Sequence, residues 1–293
     1  MTPFHAGELA VQRRMAQADI AVKVARTIRT GVPPVAAEFL AAQPMVVLGA
    51  ADGAGRLWAS QLTGPSGFVR TTGEDALAVD ARPADGDPLA EVLAGPAPVG
   101  MIALEPRRRR RMRVNGHAVP DGTGLLITTD QVYSNCPKYI SRREIEDYRP
   151  GESSPVARGT ELDAAQRAAV AAADTFFIAS ADEDGNADAS HRGGNPGFLQ
   201  VLSPTELRWP DYRGNSLFMT LGNLAVRPEC GLLIPDWTTG GALQLTGTAE
   251  IRWETGLFTA GAQCVVDFTV TGVAAVATGP LRWGPPELSP VNP

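Results

Sequence analysis

The chain has 293 residues, 44% of them hydrophobic and 20% charged, with a formal net charge of −6. These values fit a soluble globular protein of about two domains and exclude collagen, coiled coil and wholesale disorder. The negative balance argues against binding nucleic acid or an anionic membrane by bulk charge. Cys136, Cys230 and Cys264 form neither a disulfide framework nor a CxxC metal spacing, so they read as reduced thiols. With no apolar stretch of signal-peptide type and no uncharged apolar run of spanning length, the expected location is cytoplasmic. Of 26 basic residues only Lys23 and Lys138 are lysines, which makes any anion site an arginine site by default.

In chain order, Gly7 to Arg29 carries apolar residues at helical intervals with few breakers, which predicts a helical N-terminal segment over 1–30. Pro33-Pro34 opens a second helix through Ala42, with proline in the tolerated first turn. From Val46 onward the pattern changes to short apolar runs about 10 residues apart, separated by Gly, Pro and Asp. That spacing predicts an antiparallel barrel or sandwich. Cys136 precedes Pro137-Lys138 at an expected helix start. Around Tyr148 to Pro155, Arg-Pro-Gly-Glu-Ser-Ser-Pro reads as a linker. Glu161 to Ala173 is an Ala-rich amphipathic helix, and the strands then resume from Thr175. Asn215 to Val226 predicts a short helix between strands, and the Pro-rich tail from Pro280 predicts an extended or disordered arm.

The same unit is written twice. Val46 to Phe68 aligns with Phe176 to Phe198 at an offset of 130, matching Gly55 to Gly185, Ala59-Ser60 to Ala189-Ser190, Gly64 to Gly194 and Gly67-Phe68 to Gly197-Phe198. Further on the offset is 131, where Gly100-Met101-Ile102 meets Gly231-Leu232-Leu233. The organisation expected is a helical segment over 1–30, a first barrel over 31–150, a second over 155–279 and a Pro-rich tail over 280–293.

In the second copy, Ser190-His191-Arg192-Gly193-Gly194-Asn195 brings a hydroxyl, an imidazole, a guanidinium and loop amides together. Asp211, Tyr212 and Asn215 follow in the next loop, and Thr220 and Asn223 lie at the helix start. Arginine, loop N–H groups and a helix N-terminus suit a phosphate. Hairpin turns with charged tips are the plainer alternative. The first copy weighs against it, because His191 is replaced there by Gln61, Arg192 by Leu62 and Asn195 by Pro65. A scaffold kept in both copies and a polar set kept in one point to one small-molecule site per chain.

The residues Phe177-Ile178-Ala179-Ser180, Asp188 to Phe198, Leu221-Gly222-Asn223 and Leu243 to Gly247 resemble the pyridoxamine 5′-phosphate oxidase-like, flavin-binding split-barrel family. Gln131 to Ile140 and Phe4 to Arg13 are similar to segments of its tandem members. The resemblance implies a mainly β protein with a few helices, built as two tandem FMN-binding-type Greek-key split β-barrels. It implies FMN between the barrels and hydride transfer between a small-molecule substrate and flavin N5. Carried over position by position, it implies that Ser190, His191, Arg192, Asp211, Tyr212 and Asn215 meet the phosphate and ribityl chain, with Arg192 on the phosphate. Gln244 would line the cofactor, and Asn135 and Lys138 would come from the opposing barrel. FAD, deazaflavin or haem as the cofactor, a non-catalytic flavin- or haem-binding role, and a homodimer of tandem barrels stay open as alternatives. No counterpart of the oxidase's C-terminal substrate-binding segment is present. The run Arg107 to Arg111 with Arg113 reads as a solvated hairpin, with contact to a phosphate as the sharper alternative. His5, His117 and His191 have no mutual metal spacing, so no metal site is expected. Catalytic residues are not assigned.

Overall fold

The computed structural model describes residues 3–254, 256 and 261–293. Helices α1 (Ala6–Arg14), α2 (Ala18–Ala25) and α3 (Pro34–Ala41) precede strands β1 (Met45–Ala51), β2 (Leu57–Thr63), β3 (Val69–Thr71), β4 (Ala76–Val79), β5 (Ala97–Glu105), β6 (Arg110–Asp121) and β7 (Gly124–Ser134). After β8 (Ile145–Tyr148), β9 (Ala157–Gly159) and α4 (Ala164–Ala172) come β10 (Thr175–Ala181), β11 (Ala187–Gly193), β12 (Gln200–Ser203) and β13 (Glu206–Tyr212). Helix α5 (Met219–Val226) leads to β14 (Glu229–Pro235), β15 (Gly240–Arg252), β16 (Ala262–Thr278) and β17 (Leu281–Trp283).

The two halves have one topology. The first sheet runs β2-β1-β5-β6-β7-β4-β3 and the second β11-β10-β14-β15-β16-β13-β12, all antiparallel, with β9 added along β16. Each is a split β-barrel closed on its own apolar core. Leu48, Trp58, Leu77 and Val114 lie in the first core, and Phe176, Trp209, Leu232 and Phe268 in the second. The glycines shared by the copies have a steric reason: a Cβ on Gly64 would lie 2.4 Å from the Phe68 ring, and one on Gly194 2.5 Å from that of Phe198.

The barrels pack face to face about a pseudo-two-fold. Val47, Ala59 and Ile102 of one meet Phe177, Ala189 and Leu233 of the other in a single apolar cluster, and these are matched positions in the repeat. The approach is close enough that a Cβ on Gly100 would sit 2.4 Å from the Asp188 backbone and one on Gly231 2.5 Å from Leu57 O. Because β2 and β11 lie at this seam, residues at the end of β11 face the partner barrel rather than solvent.

Two local expectations differ from the structure, and the tail takes the extended of its two alternatives. Gly7 to Arg29 is two helices rather than one, parted at Ala16, whose φ of 52° is left-handed. Docking overrides propensity there: Gln12 donates to Leu217 O, and Gln17 accepts from Ser216 Oγ at 2.6 Å. Asn135 to Lys138 is not helical, so Cys136 does not sit at a helix start. The tail is pinned, with β17 paired to β8, Arg142 bridged to Glu287, and Asn195 Nδ2 donating to Pro293 O at 3.1 Å.

All three cysteines are free, and burial pushes the thiols of Cys230 and Cys264 far above the physiological range. Reducing agent should therefore leave the melting temperature unchanged. A fall of many degrees in a thermal-shift assay would contradict this, since losing a native disulfide costs about 2 to 5 kcal/mol.

Candidate functional site

Two clefts are generated by the pseudo-two-fold, one at each end of the barrel seam. In the first, strand β6 supplies Arg111 and Arg113, the segment after β7 supplies Asn135 and Tyr139, and the second barrel supplies His191, Arg192, Asp211, Tyr212, Asn215 and Thr220. Along β6 the side chains alternate: Met112 and Val114 pack into the first core, while Arg111, Arg113 and Asn115 face the second barrel.

Arg113 reaches across the seam to Asp188, with Nη1 at 3.2 Å from Oδ2, and both side chains are buried. Asp188 also accepts from Asn115 Nδ2 at 3.2 Å and Ser190 Oγ at 3.0 Å, and Ser190 shares a 2.7 Å hydrogen bond with Thr220. Beside this network Arg192 pairs with Asp211, Nε and Nη2 both lying 2.9 Å from Oδ2. Asn215 Nδ2 donates to Asn135 Oδ1 at 2.6 Å, and the Tyr139 and Tyr212 rings lie 5.2 Å apart.

Arg111 differs from the other two arginines. Its contact is to His191, Nη1 lying 2.7 Å from Nδ1, and among the described residues no acidic group pairs with it. A guanidinium has only donors, so His191 Nδ1 must accept and the ring proton sits on Nε2. Burial first, then Arg111, Arg192 and Arg113, holds His191 well below the ordinary histidine range, so the imidazole is neutral at pH 7. Burial and the neighbouring Arg113 and Arg192 push the Arg111 guanidinium down to about 9, still charged at pH 7. Arg111 Nε, Arg113 Nε, Asn135 Nδ2 and His191 Nε2 are all buried without a hydrogen-bond partner. All four are N–H donors, and an anion is what such a set lacks.

Four expected residues lie elsewhere. Ser190 sits beneath the cleft in the Asp188 network. Asn223 ties α5 to the N-terminus, donating to Ser180 Oγ at 2.9 Å with its Oδ1 2.9 Å from His5 Nε2. Lys138 does not line the cleft, although its neighbour Tyr139 does. Gln244 is in the opposite cleft, because it occupies in the second barrel the place of Arg113 in the first. There it donates to Ala59 O, Ser60 Oγ and Asp87 Oδ2 at 2.9 to 3.0 Å. That twin cleft, about 200 Å³, has Gln61 and Leu62 where the first has His191 and Arg192, and Gln61 Nε2 donates to Gly240 O. The expected solvated hairpin holds for Arg107, Arg108 and Arg110, which are exposed; Arg111 and Arg113 turn inward.

The residues fit a phosphate group. All four donor-bearing residues line one cavity of about 70 Å³, which suits a group of that size. It is short of the roughly 300 Å³ at which whole-ligand pockets begin, so the rest of a flavin would lie outside this cavity.

Comparison with known proteins agrees with this architecture. Residues 162–270, a little over a third of the chain, match the family model described as Pyridoxamine 5′-phosphate oxidase. Among solved structures, HupZ of Group A Streptococcus is similar at 12% identity, covering 41% of this chain and 98% of its own, with a TM-score of 0.34. An FMN-binding protein from Syntrophomonas wolfei subsp. wolfei gives 9% identity over 37% of this chain and 82% of its own, TM-score 0.30. HutZ, the heme storage protein from Vibrio cholerae, gives 14% over 38% and 89%, TM-score 0.27. By sequence, no curated protein matches. Among the described residues no helix is long and apolar enough to cross a membrane.

Proposed function

We propose that the chain is an FMN-dependent oxidoreductase that binds one flavin per chain in the Arg111–His191 cleft and exchanges hydride between flavin N5 and a small-molecule substrate. The observation that carries this reading is the set of buried, unpartnered N–H donors between the barrels: Arg111 Nε, Arg113 Nε, Asn135 Nδ2 and His191 Nε2. Arg111 supplies the uncompensated charge for the phosphate, and Arg192, balanced by Asp211, lies beside it. Bound flavin would supply the redox chemistry, while the chain positions it, fixes charge near it and excludes water. The phosphate preference separates FMN from unphosphorylated flavin, and the family match favours flavin chemistry on this scaffold.

The absorption spectrum of the purified protein tests the reading. Flavin bands are expected, with flavin released on denaturation amounting to about one per chain, because the twin cleft has Ala242, Gln244 and Leu62 at the positions of Arg111, Arg113 and Arg192. A Soret band in place of flavin bands, or two flavins per chain, would contradict it.

A further inference from the structure

A second cavity, of about 340 Å³, lies beyond Met219 and Asp188 from the cleft, and its lining has the opposite polarity. It is bounded by the start of α1 with His5 and Glu8, by Asn115 and Gln131 on β6 and β7, and by the turn from Asp182 to Asp188. We infer that this cavity is a binding site for a small organic cation, an amine or guanidine, whose charge is met by the Glu8 carboxylate.

Several observations support this assignment. The Glu8 side chain is 5% exposed, and among the described residues the basic side chain within 4 Å of it is His5, Nε2 lying 3.7 Å from Oε2. His5 is itself held by Asn223. The carboxyl accepts the His5 backbone N–H at 2.9 Å through Oε2, the bond that closes the capping box of α1. The remaining acids are already engaged. Asp182 closes its own turn through the amides of Asp184 and Asn186, Asp188 belongs to Arg113, and Asp130 faces His117 at the rim. Asn115 Oδ1 is a further buried acceptor without a partner. The unpartnered buried atom here is an acceptor, whereas in the cleft the unpartnered atoms are donors. Burial, together with Asp188 and Asp182 and against the His5 amide and Arg113, pushes the Glu8 carboxyl up to about 8. A carboxyl raised this far by burial is mostly protonated at neutral pH. Among the described residues no three His, Cys, Asp or Glu side chains are placed to hold a metal ion, so an organic cation fits better than a metal. The volume lies at the lower end of small-molecule pockets.

A cation that requires ionised Glu8 displaces its proton. Titration calorimetry of the flavin-free full chain with agmatine at pH 7, in two buffers of different ionisation enthalpy, should show close to one proton released per molecule bound. Affinity should rise about tenfold from pH 7 to pH 9, as a site with a pKa of about 8 becomes fully ionised. Glu8→Gln keeps the shape and the neutral state, so it should fold; it should lose the proton release and weaken agmatine at least tenfold. Succinate, the anionic control, should not bind. Absence of agmatine binding, binding unchanged in Glu8→Gln, or binding of succinate would each overturn the assignment. None of these readouts uses flavin, so the site and the proposed flavoprotein role fail separately.

Discussion

Arg113→Ala should lower the free energy of unfolding by about 3 to 5 kcal/mol, the loss typical when one partner of a buried ion pair is removed. The pair joins the barrels: Arg113 comes from β6, Asp188 from β11, and Asp188 is 3% exposed. Removing the guanidinium leaves a carboxylate inside the seam with only the neutral donors Asn115 and Ser190. The surface pair Arg149–Asp147 provides the comparison. Both partners there are about half exposed, and Arg149→Ala should cost far less than Arg113→Ala. Urea unfolding of the two variants measures the difference. A loss below 1 kcal/mol for Arg113→Ala would show that the seam does not depend on this pair.

Arg111→Ala should weaken FMN by one to two powers of ten while leaving riboflavin affinity nearly unchanged. A hydrogen bond to a charged group contributes about 1.5 to 3 kcal/mol, and 1.4 kcal/mol is tenfold in affinity. The selectivity for FMN follows because riboflavin has no phosphate. Arg111→Lys should recover part of the loss, since an ammonium keeps the charge without the planar fork. Arg111→Ala also frees His191 Nδ1 and removes the strongest nearby charge that lowers its pKa, so the imidazole should titrate closer to the ordinary histidine range. Its folded-state pKa stays depressed by burial. Protonation therefore favours the unfolded chain, and any pH-dependent loss of stability from His191 appears as pH falls. Flavin fluorescence titrations and histidine NMR shifts read the two effects. Equal weakening of FMN and riboflavin would move Arg111 from the phosphate to the ring or to a structural role.

The repeat was legible because its turns are sterically constrained. Asp52 to Gly55 and Asp182 to Gly185 make the same turn, with Asp52 and Asp182 each accepting the amide two residues on, and Gly64 and Gly194 leave room for the same phenylalanine. The second barrel's half of the cleft could be read from His191 to Asn215 because these residues lie close in sequence. Arg111 was hidden in a run of five arginines, four of which lie on the turn or start the strand. The signal lay in the alternation Arg111, Arg113, Asn115 against Met112 and Val114, a period of two that places the polar members on one face. Gln244 lines the other cleft for a related reason. A pseudo-two-fold sends matched positions to opposite clefts, so the partner of Arg113 cannot share its site. The break at Ala16 and the pinned tail depend on tertiary hydrogen bonds, of Gln12, Gln17, Arg142 and Asn195, that no local pattern encodes.

The central claim is that the cleft between the barrels is a phosphate-recognising flavin site. A crystal structure of the chain grown with FMN tests it most directly. The account predicts one flavin per chain, with its phosphate within hydrogen-bonding distance of Arg111 and His191 and the twin cleft at Gln61 and Gln244 free of flavin. Flavin in the twin cleft, or a phosphate held away from Arg111, would contradict it.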